Sequence, residues 1–493
     1  MFSVETPRGA DGQLLVPEEE WVTWPPVAQA LISAWAPLVG EVVTLRERVR
    51  ELEARLGQNS TNSSRPPSSD LPQAPRRPVT PAAPSGRRAG GQPGHTGHFR
   101  ALVPPERVDV VVDHWPGCCV GCATPLVAAT VAQGEDEDYV AHQVTELPPL
   151  RAVVTEHRLH RVACPACGAT TRATLPEDAP AGAFGPRLQA TVATLSGRFR
   201  LSRREVTELC ETVLEAPISV GSVETLCQAT SVALATPVAE AVATLPDAAV
   251  VNADETPWKE GKARPWLWVA VTALVTVFQI TTSRRSQVIK ALLGVEYTGT
   301  LGTDRYSGYA WLDVAWRQVC WAHLARDFQA LVDRGGPARP LGKAALDLVH
   351  QLFTAWHQFR TGTLDRQELQ TAIATIDDAL ATLLHAGQEN LDPKAAGLCR
   401  SLLRLWPALW TFAEVDGVEP TNNAAERALR PAVLWRKGSF GTRSDAGARF
   451  VERLLTVSAT CKQHGRSVFA YLTDVCAAAQ RGEPVPSLLP VTA

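Results

Sequence analysis

The sequence predicts a multidomain α/β protein, and three observations carry this prediction. The chain has 493 residues, more than a single ordinary domain of roughly 100–200 residues needs. Proline, serine and glycine are concentrated in residues 58–100, between an N-terminal helical pattern and the remainder of the chain. β-Branched and aromatic runs begin near residue 246, and long helical patterns follow them.

The composition excludes several classes of protein. No apolar run reaches the roughly 18 residues of a membrane helix, and the longest, residues 265–280, is interrupted by polar side chains. The N-terminus has neither the basic nor the apolar region of a secretory signal, so we expect a cytoplasmic protein without a membrane partner. A net charge of -3 argues against nucleic-acid binding unless the basic residues are locally concentrated.

Residues 1–57 form an acidic N-terminal region that ends in a heptad pattern. The apolar positions alternate spacings of four and three residues and are Leu38, Val42, Leu45, Val49, Leu52 and Leu56. A period of about 3.5 residues places them on one seam that needs a partner helix. The pattern predicts a coiled coil at residues 38–56 through which the chain forms a homo-oligomer. An amphipathic helix packed on its own protein is the alternative.

Residues 58–100 are predicted to be a disordered basic linker rich in proline, serine and glycine. The segment contains six arginines, and Asp70 is its acidic residue. It is either a flexible arm that follows DNA phosphates or a solvated tether between domains, and the sequence favours neither.

Two Cys-x-x-Cys motifs in residues 101–180 predict a zinc ribbon. The pairs are Cys119 with Cys122 and Cys164 with Cys167. Each pair can turn two thiolates towards one ion, and four thiolate ligands leave no open coordination position, so the zinc would be structural. Cys118 is an alternative ligand to Cys119, and four unrelated thiols are the alternative to zinc.

Residues 181–245 are predicted to be helical and to resemble a helix-turn-helix. Two helical patterns are separated by a short turn, and Ser219 or Ser222 is a suitable N-cap for the second. Arginines cluster at the start of the first pattern, where Arg203 and Arg204 are candidate DNA contacts. A plain helical bundle is the alternative.

A run of strands follows this helical region. The strand candidates read AAVVNADET, PWLWVAVTA, LVTVFQITT, TGTLGTDRY and RQVCWAH, with a helix before the fourth. This order is that of a ribonuclease-H-like sheet, in which the ends of the first and fourth strands are neighbours. Asp254 and Asp304 stand at those two ends.

Two carboxylates at neighbouring strand ends repel each other unless a divalent cation lies between them. Mg²⁺ is typically held by one or two carboxylates together with phosphate oxygens, and a pair of ions supports in-line phosphoryl transfer. Glu426 is the best third ligand, because Thr421 or Asn422 can cap a helix that holds it. From Glu426 to Arg453, seven basic residues stand against three acidic ones. Glu255 competes directly with Asp254.

Seven motifs follow one another along nearly the whole chain. They are QNSTNSSRPPSSD after a leucine-rich helix, GGQPGH, the paired Cys-x-x-Cys motifs, ADETPW, TDRYSGY, CWAHLARDF, and TNNAAERALRP with RKGSFGTRSDAGA. In this order they resemble the insertion-sequence-66 family of bacterial DDE transposases. The resemblance implies a ribonuclease-H-like catalytic domain at residues 246–440 whose acidic triad is Asp254, Asp304 and Glu426. It also implies a helical insertion at about 325–415.

Further expectations follow from the resemblance. Cys320 and His323 match a Cys-x-x-His signature of such transposases, and a core cysteine with a hydrogen-bonded histidine is the favoured interpretation, with metal or DNA contact as the alternative. Residues 441–493 are predicted to be a C-terminal helical region. Candidate phosphate contacts are Arg430, Arg436 and Lys437.

The implied activity is that of a DNA transposase, which cuts the ends of its insertion element and joins the freed 3′-hydroxyl to target DNA. The triad would hold two Mg²⁺ ions, with Mn²⁺ able to replace them. The implied partners are element ends, target DNA, further copies of the chain and helper proteins of the same element, in the nucleoid of a bacterial cytoplasm.

Two other functions are compatible with these motifs. One is a DNA-binding regulator or inactive domesticated relative that does not cleave DNA, and the complete acidic triad argues against it. The other is a ribonuclease-type hydrolase acting on RNA–DNA hybrids, for which the coiled coil, cysteine motifs and helix-turn-helix-like region have no use.

Overall fold

The computed structural model describes residues 17–59, 62–63, 101–126, 140–176, 179–180 and 182–490. The predicted linker at 58–100 therefore lies almost entirely outside the described residues. The chain divides into two compact units. The larger comprises Met1–Arg77, Thr155–Glu211 and Pro217–Ala493, and the smaller comprises Pro78–Val154 and Thr212–Ala216. The sheet, its covering helices and the predicted acidic residues belong to the larger unit.

A long N-terminal helix carries the predicted heptad seam. α1 (Glu18–Trp21) is short, and α2 (Pro26–Leu56) extends over 31 residues. All six heptad side chains are exposed, and the exposed side chains of Leu31 and Trp35 extend the same stripe towards the N-terminus. The helix is confirmed over residues 38–56, whereas a partner helix for the seam stays a prediction.

Short, loop-rich structure surrounds the cysteine motifs. In the smaller unit, the described residues include a 3₁₀ turn, Pro105–Arg107, and an isolated bridge between Cys118 and Pro125. In the larger unit, β1 (Arg161–Ala163) and β2 (Thr170–Arg172) form an antiparallel hairpin around the second cysteine pair.

A helical module precedes the sheet. It consists of α3 (Pro186–Ala193), a π-helical turn (Thr194–Arg198), α4 (Arg203–Val213), α5 (Val220–Ala233) and α6 (Ala235–Ala243). The Ser219 side chain accepts a hydrogen bond from Ser222 N at the start of α5. Ser219 is therefore confirmed as the N-cap of this helix.

One stretch of this module corrects the expectation that no segment is apolar enough for a membrane helix. Val220–Ala243 meets the requirement by length and composition. It is divided into α5 and α6 at Leu234, and Val223, Leu226 and Cys227 are buried within the protein. Core helices of soluble proteins can have the same length and composition, so this single stretch is weak evidence for a membrane-spanning helix.

A five-stranded mixed sheet lies at the centre of the described range 182–490. Its strands are β3 (Val250–Pro257), β4 (Trp266–Val271), β5 (Thr276–Thr281), β6 (Thr300–Thr303) and β7 (Arg317–Val319), with α7 (Ser286–Leu293) between β5 and β6. Their order across the sheet is β5-β4-β3-β6-β7. β4 is antiparallel to both β3 and β5, while β6 is parallel to both β3 and β7. The first and fourth strands of the sheet are therefore neighbours.

The helices after β7 pack around a hydrophobic core of their own. They are α8 (Trp321–Arg334), α9 (Ala338–Arg360), α10 (Arg366–Gly387), α11 (Pro393–Arg404) and α12 (Pro407–Glu414). Aromatic rings fill its centre: Trp321 lies 5.1 Å from Trp410 and Trp356 lies 5.6 Å from Phe412, measured between ring centroids. This block occupies the part of the chain in which the sequence predicts an insertion.

Three C-terminal helices follow, and the second of them covers an edge of the sheet. They are α13 (Asn423–Ser439), α14 (Asp445–Gln463) and α15 (Val468–Gln480). Along α14, Thr456 Oγ1 accepts a 2.9 Å hydrogen bond from Phe278 N, and Glu452 Oε2 accepts one of 2.9 Å from Ile280 N. These side chains satisfy N–H groups of the edge strand β5, which would otherwise be open to pairing with another chain.

Glu452 is expected to make stability depend on pH. Burial raises its pKa from 4.5 to about 7, so the stability contributed by the protonated form is present at low pH and is lost as the pH rises through the folded-state pKa. The full shift corresponds to roughly 3 kcal/mol. Glu452→Gln keeps an oxygen for Ile280 N and removes the titration. Its free energy of unfolding should therefore fall less than that of the wild type between about pH 5 and about pH 8.

Urea denaturation across this pH range measures the effect, and Glu414→Gln, at an exposed position of α12, is the matched control. An identical pH dependence in the wild type and Glu452→Gln would show that Glu452 does not titrate in this way.

Candidate active site

Two aspartates lie side by side on β3 and β6. Asp304 directly follows β6, as predicted, whereas Asp254 lies within β3, which continues to Pro257, so the prediction that Asp254 ends its strand is wrong. The parallel register pairs Asn252 with Gly302. Continued by two residues along both strands, this register places Asp254 opposite Asp304, which directly follows β6. Gly302 permits the close approach, since a Cβ at this position would lie 2.6 Å from Asn252 Oδ1.

The N-terminus of α13 is fastened to β3 and carries Glu426. Asn422 is buried, and its Nδ2 donates a 2.8 Å hydrogen bond to the carbonyl of Ala253, next to Asp254. The backbone N–H of Asn422 donates to Cys320 Sγ at 3.2 Å. Asn422 occupies the predicted N-cap position, but its side chain makes no capping bond and is used for the sheet instead. Glu426 follows in the first turn of the helix.

The three carboxylates share one electrostatic environment. Burial raises the pKa of Asp254 well above its ordinary value, and the negative charges of Glu255, Asp304 and Glu426 raise it further. Burial also raises the pKa of Asp304, despite a 2.8 Å hydrogen bond from Tyr306 N and the positive charges of nearby arginines. Buried acids that repel one another gain free energy by taking up a cation.

Glu255 competes with Asp254 in the sequence but has its own partners in the structure. Successive strand residues point to opposite faces of a sheet, and only 2% of the Glu255 side chain is exposed. Arg284 forms a 2.8 Å ion pair with Oε1 of Glu255, and Tyr309 OH donates a 2.5 Å hydrogen bond to Oε2. Both carboxylate oxygens of Glu255 are thus engaged by protein side chains, although the negative charge of Asp304 also raises the pKa of Glu255 after burial.

Cys320 and His323 lie beside Glu426. Cys320 N donates a 2.8 Å hydrogen bond to the Thr303 carbonyl, which joins the start of α8 to the end of β6. The Cys320 sulfur, a His323 ring nitrogen and a Glu426 oxygen lie within 4.8 Å of one another, a geometry that can hold a metal ion. Among the described residues, the buried His323 Nδ1 has no hydrogen-bond partner, so the prediction of a hydrogen-bonded histidine is not met at this nitrogen, while Cys320 is buried as predicted. Burial, as the main cause, lowers the His323 pKa to about 3, so the ring is neutral.

Arg326 completes this group of residues and was not predicted. Its Nη2 donates a 2.9 Å hydrogen bond to Glu426 Oε1, the oxygen that His323 Nδ1 approaches at 3.5 Å. The spacing of three residues between His323 and Arg326 places both on one face of α8. That spacing is visible in the sequence, but nothing in the sequence places this face against α13.

Comparison with known proteins shows to which family this chain belongs. A family model described as "Transposase IS66 family" matches residues 181–450. The chain belongs to the IS66 transposase family. A second family model, of a family of unknown function, matches residues 20–101. IS66 membership supports a transposase role, with DNA as a partner and divalent metal ions as the general cofactors.

Proteins of Sinorhizobium fredii (strain NBRC 101917 / NGR234) are similar to this chain, and each is described as uncharacterized. Protein y4hP is 27% identical over 422 residues, which cover 76% of this chain and 72% of y4hP. Protein y4qI is 26% identical over 215 residues, 39% of this chain and 38% of y4qI. Protein y4jO is 30% identical over 159 residues, 32% of this chain and 46% of y4jO. The similarity thus spans less than half the length of the last two relatives.

The basic residues predicted on α13 of this IS66-family chain differ in their surroundings. Arg430 and Lys437 are exposed. Arg436 Nη1 instead donates to Thr256 Oγ1 at 3.0 Å and to the carbonyl of the next residue, at the end of β3. Arg436 therefore supports the strand that carries the first acid.

Arg203 and Arg204, in the helical module, differ in the same way. Arg203 donates a 2.7 Å hydrogen bond to Glu224 and another to Ser196, and its guanidinium lies 5.0 Å from the ring centroid of Phe450. These contacts hold α4 against α5 and α14. Arg204 is exposed.

The two cysteine motifs have the same local geometry. Cys119 N donates to the Thr124 carbonyl at 2.9 Å, and Ala123 N donates to the Cys119 carbonyl at 2.9 Å. The second motif repeats both bonds, from Cys164 N to the carbonyl five residues later at 2.8 Å and from Gly168 N to the Cys164 carbonyl at 2.9 Å. Ala123 and Gly168 both have positive φ values, 57° and 74°. Each motif is therefore a tight turn that presents its two thiols together.

The shared geometry favours Cys119 over Cys118 as the first cysteine of its turn, because Cys119 makes the hydrogen bonds that Cys164 makes in the other motif. Hydrogen bonds lower the pKa values of Cys122 and Cys164. The largest cause is the side chain of Thr124 in the first case and a backbone N–H two residues later in the second. A lowered pKa favours the thiolate, the form that binds metal ions.

Asn422→Ala is expected to destabilise the protein more than the neighbouring change Asn423→Ala. Loss of the Asn422 amide leaves the buried Ala253 carbonyl without this hydrogen bond, at a cost of roughly 1–3 kcal/mol. Asn423 is half-buried at the first position of α13 and serves as the control. Urea denaturation at neutral pH gives the free energy of unfolding of both variants. Equal values would contradict the anchoring role of Asn422.

Proposed function

We propose that the chain is a DNA transposase that cuts the ends of an insertion element and joins the freed 3′-hydroxyl to target DNA. The observation that supports this proposal is the proximity of three carboxylates: the strand register sets Asp254 beside Asp304, and the hydrogen bond from Asn422 to Ala253 holds the helix of Glu426 against β3. The strand order and directions of the sheet support a ribonuclease-H-like catalytic domain at 246–440. The helices from α8 to α12 support an insertion at about 325–415.

We further propose that Asp254, Asp304 and Glu426 hold two Mg²⁺ ions, which Mn²⁺ can replace. The residues fit such ions, because hard cations prefer carboxylate oxygens. Burial, and after it the negative charges of Glu255, Asp304 and Glu426, raises the pKa of Asp254, and a cation would offset both effects. When bound, such a pair of ions activates the attacking hydroxyl and stabilises the leaving oxygen in an in-line phosphoryl displacement.

Neighbouring side chains would set the position of the third acid. Arg326 and His323 both approach Oε1 of Glu426, so they orient the carboxylate from one side. His323 adds no charge of its own at neutral pH, because its pKa is lowered to about 3. Asn422 and Cys320 hold the first turn of α13 between β3 and α8.

Asp254→Asn should greatly slow the Mn²⁺-dependent cleavage of DNA that carries the element's ends. The amide keeps the volume of the side chain but removes its charge, and we expect a loss on the order of 10²–10³-fold, typical for removal of one preorganised charge-stabilising group. Asp347→Asn, at an exposed position of α9, is the matched control and should cleave at the wild-type rate. Unchanged cleavage by a folded Asp254→Asn protein would refute the proposed role of the acidic triad.

We propose that Cys119, Cys122, Cys164 and Cys167 bind one structural zinc ion in a ribbon at 101–180. The matching turns and the lowered pKa values of Cys122 and Cys164 support this set. Because four thiolates bind the ion together, the zinc content of the purified chain, measured by atomic emission, should fall from one to near zero in both Cys119→Ser and Cys164→Ser. Cys118→Ser should keep its zinc. Retained zinc in Cys119→Ser with loss in Cys118→Ser would reverse the assignment.

We propose that the exposed stripe of α2 forms a coiled coil between copies of the chain, so that the transposase is a homo-oligomer. Leu45→Glu introduces a charge into the seam and should therefore shift the protein to the monomer, as measured by light scattering after size-exclusion chromatography. Thr44→Glu, at an exposed position outside the seam and its flanking positions, should leave the mass unchanged. A monomeric wild-type protein would contradict the coiled coil.

Further partners and contacts belong to the same proposal. Exposed Arg204, Arg430 and Lys437 are proposed phosphate contacts, together with the basic linker at 58–100 and the helix-turn-helix-like region at 181–245. Arg203 and Arg436 support the protein around these contacts. Helper proteins of the same element, and the nucleoid of a bacterial cytoplasm as the place of action, complete the proposal.

A further inference from the structure

A basic groove lies apart from the acidic triad, between the helical module and the C-terminal helices. It has a volume of about 550 Å³ and lies between the π-helical turn after α3 and the loop that joins α14 to α15. Cationic and aromatic side chains line it and include Arg198, Phe199, Lys462, Arg466 and Phe469. None of the described residues that line the groove is acidic. The groove therefore combines uncompensated positive charge with aromatic surface.

The lining cations are not equivalent. Arg466 donates a 2.9 Å hydrogen bond to the Leu488 carbonyl, so it supports the C-terminal segment. Arg198 and Lys462 are exposed, as is Phe199, with 60% of its surface accessible. Arg198 and Lys462 thus offer charge to a ligand, and Phe199 offers exposed ring surface.

The backbone holds Phe199 in this exposed position. Phe199 N donates to the Thr194 carbonyl at 3.1 Å, which closes the π-helical turn. Gly197 approaches α14 so closely that a Cβ would lie 2.7 Å from Leu454 Cγ. Arg200 has a φ of 65°, a left-handed conformation that is uncommon outside glycine. π-Helical turns are rare in proteins, and many of those that occur lie at functional sites.

Aromatic rings beside cations are the means by which proteins bind single-stranded DNA, because bases stack on the rings while the cations contact phosphate. We propose that the groove binds an unpaired nucleotide of a DNA strand, with the base stacked on Phe199 and the phosphate contacted by Arg198 and Lys462. This inference rests on the proposed action on DNA and adds a DNA site outside the acidic triad. A duplex held by phosphate contacts alone would need the two cations but not the ring.

The experiment measures binding of a fluorescein-labelled oligothymidine of about 12 nucleotides, within the usual site size, to the full chain by fluorescence anisotropy in magnesium-free buffer. Phe199→Ala should weaken binding about tenfold, the effect of one lost stacked base. Phe199→Trp should retain the affinity, because it keeps a stacking surface. The double variant Arg198→Ala/Lys462→Ala should reduce the slope of log K against log salt by about 1.4, for two single-strand phosphate contacts.

Lys343→Ala, at an exposed position of α9, is the matched control and should bind as the wild type does. Wild-type affinity in Phe199→Ala, or no binding of the oligothymidine by the unaltered chain, would overturn the inference. A loss confined to the double charge variant would also overturn it, since it would show phosphate contact without a bound base. The Asp254→Asn cleavage test uses other residues, so it can succeed while the groove fails.

Discussion

Negative charge gathered at the partly buried junction of β3, β6 and α13 is the constraint on which the rest of the structure depends. Asp254 and Asp304 are brought together by the parallel pairing of two short strands, and Glu426 is added by a helix from a distant part of the chain. Their mutual repulsion raises the pKa of Asp254 beyond the effect of burial. The surrounding structure must therefore hold together groups that would separate if they were free, and Asn422 ties the helix to the strand at this point.

The acids at this junction differ in the side chains that pair with their carboxylate oxygens. Glu255 has a cation and a phenol on its two carboxylate oxygens and is a structural part of the sheet. Asp254 accepts a 2.8 Å hydrogen bond from a neighbouring backbone N–H but has no such side-chain partner among the contacts of the described residues. Glu426 lies between these extremes, since Arg326 and His323 both approach one of its oxygens. This division is the reason for proposing Asp254, and not Glu255, as a metal ligand.

Much of the fold could be predicted from the sequence, because strand order and helical periodicity are local patterns. The sequence predicts that the strands carrying Asp254 and Asp304 are neighbours, because few sheet arrangements are compatible with this order of strands. The observed order confirms it. The cap on α5 was also visible, since Ser219 contacts a residue only three positions away. Apolar length was misjudged at Val220–Ala243, because isolated polar residues hid a long stretch of moderate hydropathy.

The fine structure of the site could not be predicted, because its contacts join residues that are far apart in the chain. The bond from Asn422 to Ala253 spans 169 residues, and that from Arg326 to Glu426 spans 100. The sequence likewise could not distinguish arginines that donate hydrogen bonds within the protein, such as Arg203 and Arg436, from those that remain exposed. Positive charge in a sequence therefore marks a region for DNA contact but not the residues that make it.

The most direct measurement is anomalous X-ray diffraction from crystals of the full chain grown with Mn²⁺. We expect anomalous peaks within coordination distance of the carboxylate oxygens of Asp254, Asp304 and Glu426, and their loss in crystals of Glu426→Gln. Peaks only at Cys320 and His323, or no ordered metal near the three carboxylates, would contradict a metal-dependent acidic triad.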